Sequence, residues 1–143
     1  MYSINRMVTH ATSKREFKTF RLINGSKNPS SEWKQGSKNI YNVQERKKGN
    51  NYGVVCGSQN GILVVDVDTY KYPDQFRAEF GSVADIIRAC NTHTVTTPRG
   101  GVHLYFKYRE GYKNKPYGNF IDIKTEGGYV VADGAIINYD KPF

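Results

Sequence analysis

Two carboxylates one residue apart, Asp66 and Asp68, end the apolar run Gly61-Ile62-Leu63-Val64-Val65-Asp66-Val67-Asp68. In an extended strand successive side chains alternate between faces, so the two acids share one face while Val65 and Val67 take the other. Their Cα atoms then lie about 6.6 Å apart, two strand rises. Hard cations such as Mg²⁺ are commonly held by one or two carboxylates together with substrate phosphates, and a strand end offers that pair without burying unpaired charge. The plainer alternative is a strand running into a polar turn, where Asp is common.

Two further strand faces carry polar groups of the same kind. Val102–Tyr108 alternates with period two, setting His103, Tyr105 and Lys107 against Val102, Leu104, Phe106 and Tyr108. Phe120–Lys124 likewise sets Asp122 and Lys124 opposite Ile121 and Ile123. Taken singly, a histidine on a strand is an ordinary packed residue and a Gly-Gly turn is an ordinary turn. The segment Arg99-Gly100-Gly101 just ahead of His103 nevertheless lets backbone amides approach a phosphate, because glycines remove the Cβ barrier, and Arg99 adds charge to such a site. Cys90 and His93 have the C-x-x-H spacing of zinc ligands, but structural zinc needs four donors, and Cys56, His10 and His103 are far away in sequence. Two cysteines are too few for a disulfide framework and read as ordinary thiols of a reducing compartment.

The elements that must position these groups are mostly strands. Tyr52–Cys56, the turn Gly57–Gly61 and Ile62–Asp68 form a hairpin pattern, as do Phe120–Lys124, the turn Thr125–Gly128 and Tyr129–Ala132. Thr94–Thr97 pairs with Val102–Tyr108 across Pro98-Arg99-Gly100-Gly101. Between Pro73 and Cys90 the spacing turns helical, with Phe76, Phe80, Val83, Ala84 and Ile87 in one apolar stripe. Gly81 breaks that helix, and Ser82-Val83-Ala84-Asp85 restarts it with a capping-box pattern. Residues 24–50 are rich in Asn, Gly, Ser, Lys and Gln and read as loops, with Trp33 as a packing anchor and Glu45–Gly49 as a solvated basic turn. The pattern predicts an α+β domain on an antiparallel or mixed sheet.

The chain has 143 residues, enough for one domain with a real core. Its 21 Lys and Arg against 13 Asp and Glu give a formal charge of +8, which favours an anionic partner such as nucleic acid or nucleotide. No apolar run approaches the ~20 residues of a membrane span, and no signal-peptide pattern opens the chain, so an intracellular location is expected.

Taken in order, the motifs resemble the N-terminal catalytic domain of bifunctional DNA primase/polymerases (prim-pol), in the archaeo-eukaryotic primase superfamily. The resemblance runs from about Phe20 to Ala132. It is carried by Lys27-Asn28-Pro29 with Trp33-Lys34, by Asn51–Gly57, by Gly61–Asp68, by Thr97–Phe106 and by Ile121–Ala132. It implies the primase catalytic core, a small α/β N-terminal module beside a sheet module like an RNA-recognition motif, with the site between them. It implies that Asp66, Asp68 and Asp122 are the catalytic acids and ligands of Mg²⁺ or Mn²⁺. His103 matches the histidine that contacts the incoming nucleotide, and Lys124 stands where relatives carry a basic residue facing the triphosphate. Arg99, with Gly100 and Gly101, is the further phosphate-binding candidate, on charge and glycine content alone.

The implied activity is metal-dependent, template-directed nucleotidyl transfer in the replication of a plasmid, virus or mobile element, within a cytoplasm or host cell. Its partners would be nucleoside triphosphates, a single-stranded DNA template and primer, and a replicative helicase domain or protein. Relatives usually continue past the third acidic strand, so residues 1–143 are expected to be one catalytic domain in truncated or pared-down form. Two other readings use the same residues: a catalytically silent single-stranded nucleic-acid-binding module, and a metal-dependent nuclease in which water replaces the 3′-hydroxyl.

Overall fold

Ile62–Val67 is apolar on both of its faces up to Asp66, and a strand of that kind needs a packed layer on each side. The computed structural model, which describes residues 11–13, 16–34, 37–138 and 141–143, supplies both layers. The strands are β1 (Thr19–Arg21), β2 (Tyr52–Val55), β3 (Ile62–Val67), β4 (Thr94–Thr96), β5 (Val102–Lys107), β6 (Lys115–Pro116), β7 (Ile121–Lys124) and β8 (Tyr129–Val131). Two helices, α1 (Pro73–Phe80) and α2 (Val83–Cys90), lie between β3 and β4 in sequence. A five-stranded sheet has the order β4-β5-β3-β7-β6 and a three-stranded sheet the order β1-β2-β8, with antiparallel pairing throughout. The architecture is α+β with two antiparallel sheets.

The period-two pattern of β3 decides what each face meets. Leu63, Val65 and Val67 point to the helix side, packing with Val102, Leu104, Phe106, Ile121 and Ile123 against Phe76, Ile86 and Cys90. Ile62 and Val64 point the other way and pack with Tyr105 against Tyr52, Val54 and Val130 of the small sheet. Asp66 falls on this second face, beyond the apolar pair. Phe20 stacks on Trp33 at 4.7 Å between ring centroids, so Trp33 is an anchor for the outer side of the small sheet.

The helical stretch is two helices because Gly81, at φ 78, takes a conformation that other residues rarely adopt. Pro73 occupies the first turn of α1, where its missing N–H is no loss. Ser82 and Asp85 cap α2 reciprocally: the Asp85 N–H donates to Ser82 Oγ and the Ser82 N–H donates to Asp85 Oδ2, each at 3.1 Å.

Two of the three expected hairpins are not hairpins. The Thr94/Val102 pair forms as expected, with Thr94 opposite Leu104. Tyr52–Val55 and Ile62–Val67, however, lie in different sheets, joined by a single bridge between Gly57 and Ile62. Ile121–Lys124 pairs with β3, and Tyr129–Val131 leaves that sheet to pair with β2. The physical reason is burial: Ile62 and Val64 on the second face of β3 are covered by β2 and β8, which leave the large sheet and pair with each other across it. The two crossover turns touch, with the Ser58 hydroxyl donating to Glu126 Oε1 at 2.6 Å. Asn60 and Asn114 tie down their backbones, Asn60 Nδ2 donating to Val55 O at 2.8 Å and the Thr125 N–H donating to Asn114 Oδ1 at 2.7 Å. Among the described residues no helix is long and apolar enough to cross a membrane.

Candidate active site

The register of the large sheet aligns three polar residues in one row. Asp66 of β3 stands directly opposite His103 of β5 on one side and Asp122 of β7 on the other. All three lie on the face that carries Ile62, Val64 and Tyr105, past the point where the small sheet covers it. Lys124 is two positions along β7 on the same face, its Nζ 3.3 Å from Asp122 Oδ2. Asp68 follows β3; its N–H donates to Phe120 O at 2.8 Å, and its Oδ1 accepts from the Tyr70 N–H at 3.3 Å.

Three hollows meet at Asp66. The largest, about 590 Å³, is walled by Lys27, Asp68, Tyr70, Arg99, His103 and Phe143 besides Asp66. On the other side a hollow of about 430 Å³ adds Trp33, Asp122, Lys124 and Tyr129 to the shared Lys27, Asp66, His103 and Phe143. The smallest, about 170 Å³, is walled by Asp66, Asp68 and Asp122 together, with Lys71 beside them.

Electrostatics at the row follow from this crowding. Burial raises the Asp66 carboxyl to about 6, and repulsion from Asp68 and Asp122 adds to the shift, while Lys27 and Lys124 work against it. Burial lowers His103 to about 4, helped by the positive charges of Lys27 and Lys124. His103 is therefore neutral at neutral pH, and the 3.6 Å between its Nε2 and Asp66 Oδ1 is not an ion pair. His103 Nδ1 and Asp122 Oδ1 are buried with no hydrogen-bond partner, the condition of groups poised for a ligand or a water.

Among the described residues no group of three or more His, Cys, Asp or Glu side chains is arranged as a ready metal cage. The three acids do suit a hard cation in an open site: all their donors are oxygens, their mutual repulsion would be relieved, and Asp122 Oδ1 lacks a partner. The C-x-x-H pair has no such support. Cys56 and Cys90 are free and buried, and burial pushes both thiols up, away from the thiolate a metal requires.

The other expected phosphate ligands are spread more widely. Arg99 walls the largest hollow, its guanidinium 4.8 Å from the centre of the Tyr70 ring, while Lys124 lies on the far side of the acid row. The amides of Gly100 and Gly101 are already used within their turn, donating to Thr97 O at 3.1 Å and to Thr97 Oγ1 at 3.0 Å. A Cβ at Gly101 would overlap the Val67 carbonyl oxygen, so this glycine lets the turn close onto the end of β3.

Lys27 and Phe143 belong to the site although sequence reasoning singled out neither as a site residue. Lys27 sits in a loop pinned by the Ile23 N–H to Asn28 O bond of 2.9 Å, the Leu22–Pro29 bridge, and the Tyr129 hydroxyl donating to Lys27 O at 2.7 Å. The motif Lys27-Asn28-Pro29 was a signal for it. Phe143 packs 5.8 Å from the His103 ring, held by its N–H to Ala135 O at 3.0 Å, and nothing local in the sequence marks it.

A search of curated proteins finds no match to the chain. The sequence pattern described as "bifunctional DNA primase/polymerase, N-terminal" matches residues 9–142, a span that takes in the acid row, both sheets and both helices. A match over nearly the whole length places this chain in the family of bifunctional DNA primase/polymerase N-terminal domains, whose general chemistry is nucleotidyl transfer.

Proposed function

We propose that this chain catalyses metal-dependent, template-directed nucleotidyl transfer as a DNA primase and DNA polymerase domain, its two sheets and helices being a small form of the primase catalytic core. The observation that carries the reading is the row His103–Asp66–Asp122, open to a cleft whose walls include Lys27, Arg99 and Lys124. Carboxylates amid cations suit a substrate that brings its own negative charge and a counter-ion.

Asp66, Asp68 and Asp122 would hold one or two Mg²⁺ or Mn²⁺ ions, which when bound lower the pKa of an attacking hydroxyl and offset charge on phosphate oxygens. Lys124, Lys27 and Arg99 bind the triphosphate electrostatically from opposite walls of the cleft. Neutral His103 gives a directional hydrogen bond to a phosphate or sugar oxygen without adding charge. In the reaction the 3′-oxygen of a primer bonds to the α-phosphorus as the bond to the bridging oxygen breaks. Pyrophosphate leaves with that electron pair, and the hydroxyl proton passes to water. The protein contributes mainly position and charge, which is where catalysis of phosphoryl chemistry chiefly resides.

Extension of a labelled primer on a single-stranded template, with nucleotides and Mg²⁺ or Mn²⁺, tests the proposal. The wild type should lengthen the primer, and Asp66→Asn or Asp68→Asn should reduce incorporation to background while melting as folded proteins. Extension by either variant at wild-type rate would remove the metal-site assignment. DNA shortened without added nucleotides would identify a nuclease, and binding without any product a silent module.

A further inference from the structure

Four large apolar side chains stand well out of the surface among the described residues, and two of them, Tyr70 at 45% and Tyr72 at 46% exposure, flank one lysine in a single loop. This loop leaves β3 immediately after Asp68, and the Asp68 carboxylate anchors its start by accepting from the Tyr70 N–H. The Arg99 guanidinium lies 4.8 Å from the Tyr70 ring centre and the Lys71 ammonium 5.8 Å from it. Tyr72 meets Phe120 edge-on, at 6.4 Å and 85°, which leaves much of its ring uncovered. Tyr70 walls the largest hollow and Lys71 the smallest, so the loop straddles the acid row.

We infer that Tyr70-Lys71-Tyr72, its Tyr70 ring held by the Arg99 guanidinium, is a stacking ledge for single-stranded nucleic acid, holding the strand that enters the cleft beside Asp66 and Asp68. The inference rests on the polymerase reading above and adds where the strand binds. Exposed rings offer flat apolar faces to unpaired bases, and the cation between them meets the phosphate that links two bases. Every base has a π-face, so such a ledge is tolerant of sequence, as template copying requires. A comparable basic and aromatic stretch, Tyr112–Tyr117, is less suited, because Tyr112 and Tyr117 are partly buried against the core.

The test compares binding of a labelled oligothymidine and of an abasic oligonucleotide of equal length, in EDTA, by the wild type, by Tyr70→Ala/Tyr72→Ala and by Tyr70→Phe/Tyr72→Phe. The alanine variant should bind oligothymidine about tenfold or more weakly, bind the abasic strand like the wild type, and keep its melting temperature. The phenylalanine variant should restore oligothymidine affinity, since stacking uses the ring and not the hydroxyl. Equal oligothymidine affinity in the wild type and the alanine variant would overturn the ledge and leave the polymerase reading standing. Equal loss on both strands would show that the loop acts by charge or shape alone and would also overturn it. A wild type that binds neither strand and extends no primer would overturn both readings.

Discussion

Asp66 is the residue on which three hollows converge, and its protonation should be measurable without any substrate. Its folded value near 6 lies above the ordinary 3.8, so the folded chain binds this proton more tightly than the unfolded chain does. The resulting destabilisation is absent below about pH 3.8, grows as pH rises, and is complete above about pH 6. Asp66→Asn removes it. Because the wild-type side chain is 34% exposed, solvent moderates the gain. The variant should melt roughly 2–4 °C higher than wild type at pH 7, with the difference vanishing near pH 4 in thermal scans without divalent metal. His103 works in the opposite direction, its lowered value making stability rise between about pH 4 and its ordinary 6.5, but it is present in both proteins and cancels in the difference. A variant no more stable than wild type at pH 7 would show that the acid row is not under the strain described. At this scale the sequence was informative. Period two alone separates Asp66, His103, Asp122 and Lys124 from the helix-side residues of their strands, whereas Lys27 and Phe143 reach the cleft through loops and long-range hydrogen bonds that no local spacing encodes.

Elements were legible in kind and much less so in partnership. The helices, their break at Gly81 and the Ser82–Asp85 box follow from local stereochemistry and are where the sequence puts them. The two apparent hairpins failed because a turn between two strands says nothing about whether they share a sheet; the demand for a cover over Ile62 and Val64 decides that. The Pro98–Gly101 turn shows the same limit in the site itself. Its glycines suggest free amides for phosphate, yet both amides are bonded to Thr97, and Gly101 serves close packing on β3. Gly101→Ala should therefore act on stability. An added Cβ must push the turn off the Val67 carbonyl, at a cost of about 1–3 kcal/mol, measurable as a lower midpoint in urea at unchanged slope. A fully stable variant that had lost only nucleotide affinity would instead restore the amides as phosphate ligands.

At the scale of the molecule, the helices on one face of the large sheet and the small sheet on the other leave, among the described residues, a cleft in which most of the chemistry-bearing side chains meet, and the net charge of +8 makes that cleft attractive to polyanions. Lys27, Lys71, Arg99 and Lys124 stand around the three acids, so under the proposed reading a strand of nucleic acid in the cleft would meet both attraction and, without a divalent cation, local repulsion. Binding of single-stranded DNA should fall steeply with salt, its logarithmic slope being roughly 0.7 for each phosphate neutralised. The acids should oppose that binding when no divalent cation is present. In EDTA, Asp66→Asn/Asp68→Asn/Asp122→Asn should bind an oligonucleotide at least as tightly as wild type, with a salt slope equal or greater, and with Mg²⁺ and nucleotides it should extend no primer. Addition of Mg²⁺ should then narrow the difference by improving wild-type binding alone. Salt-independent binding would contradict the electrostatic account. Weaker binding by the triple variant in EDTA would mean that the carboxylates hold the strand directly, as hydrogen-bond acceptors for base or sugar donors, and the acid row would then be part of the nucleic-acid surface itself.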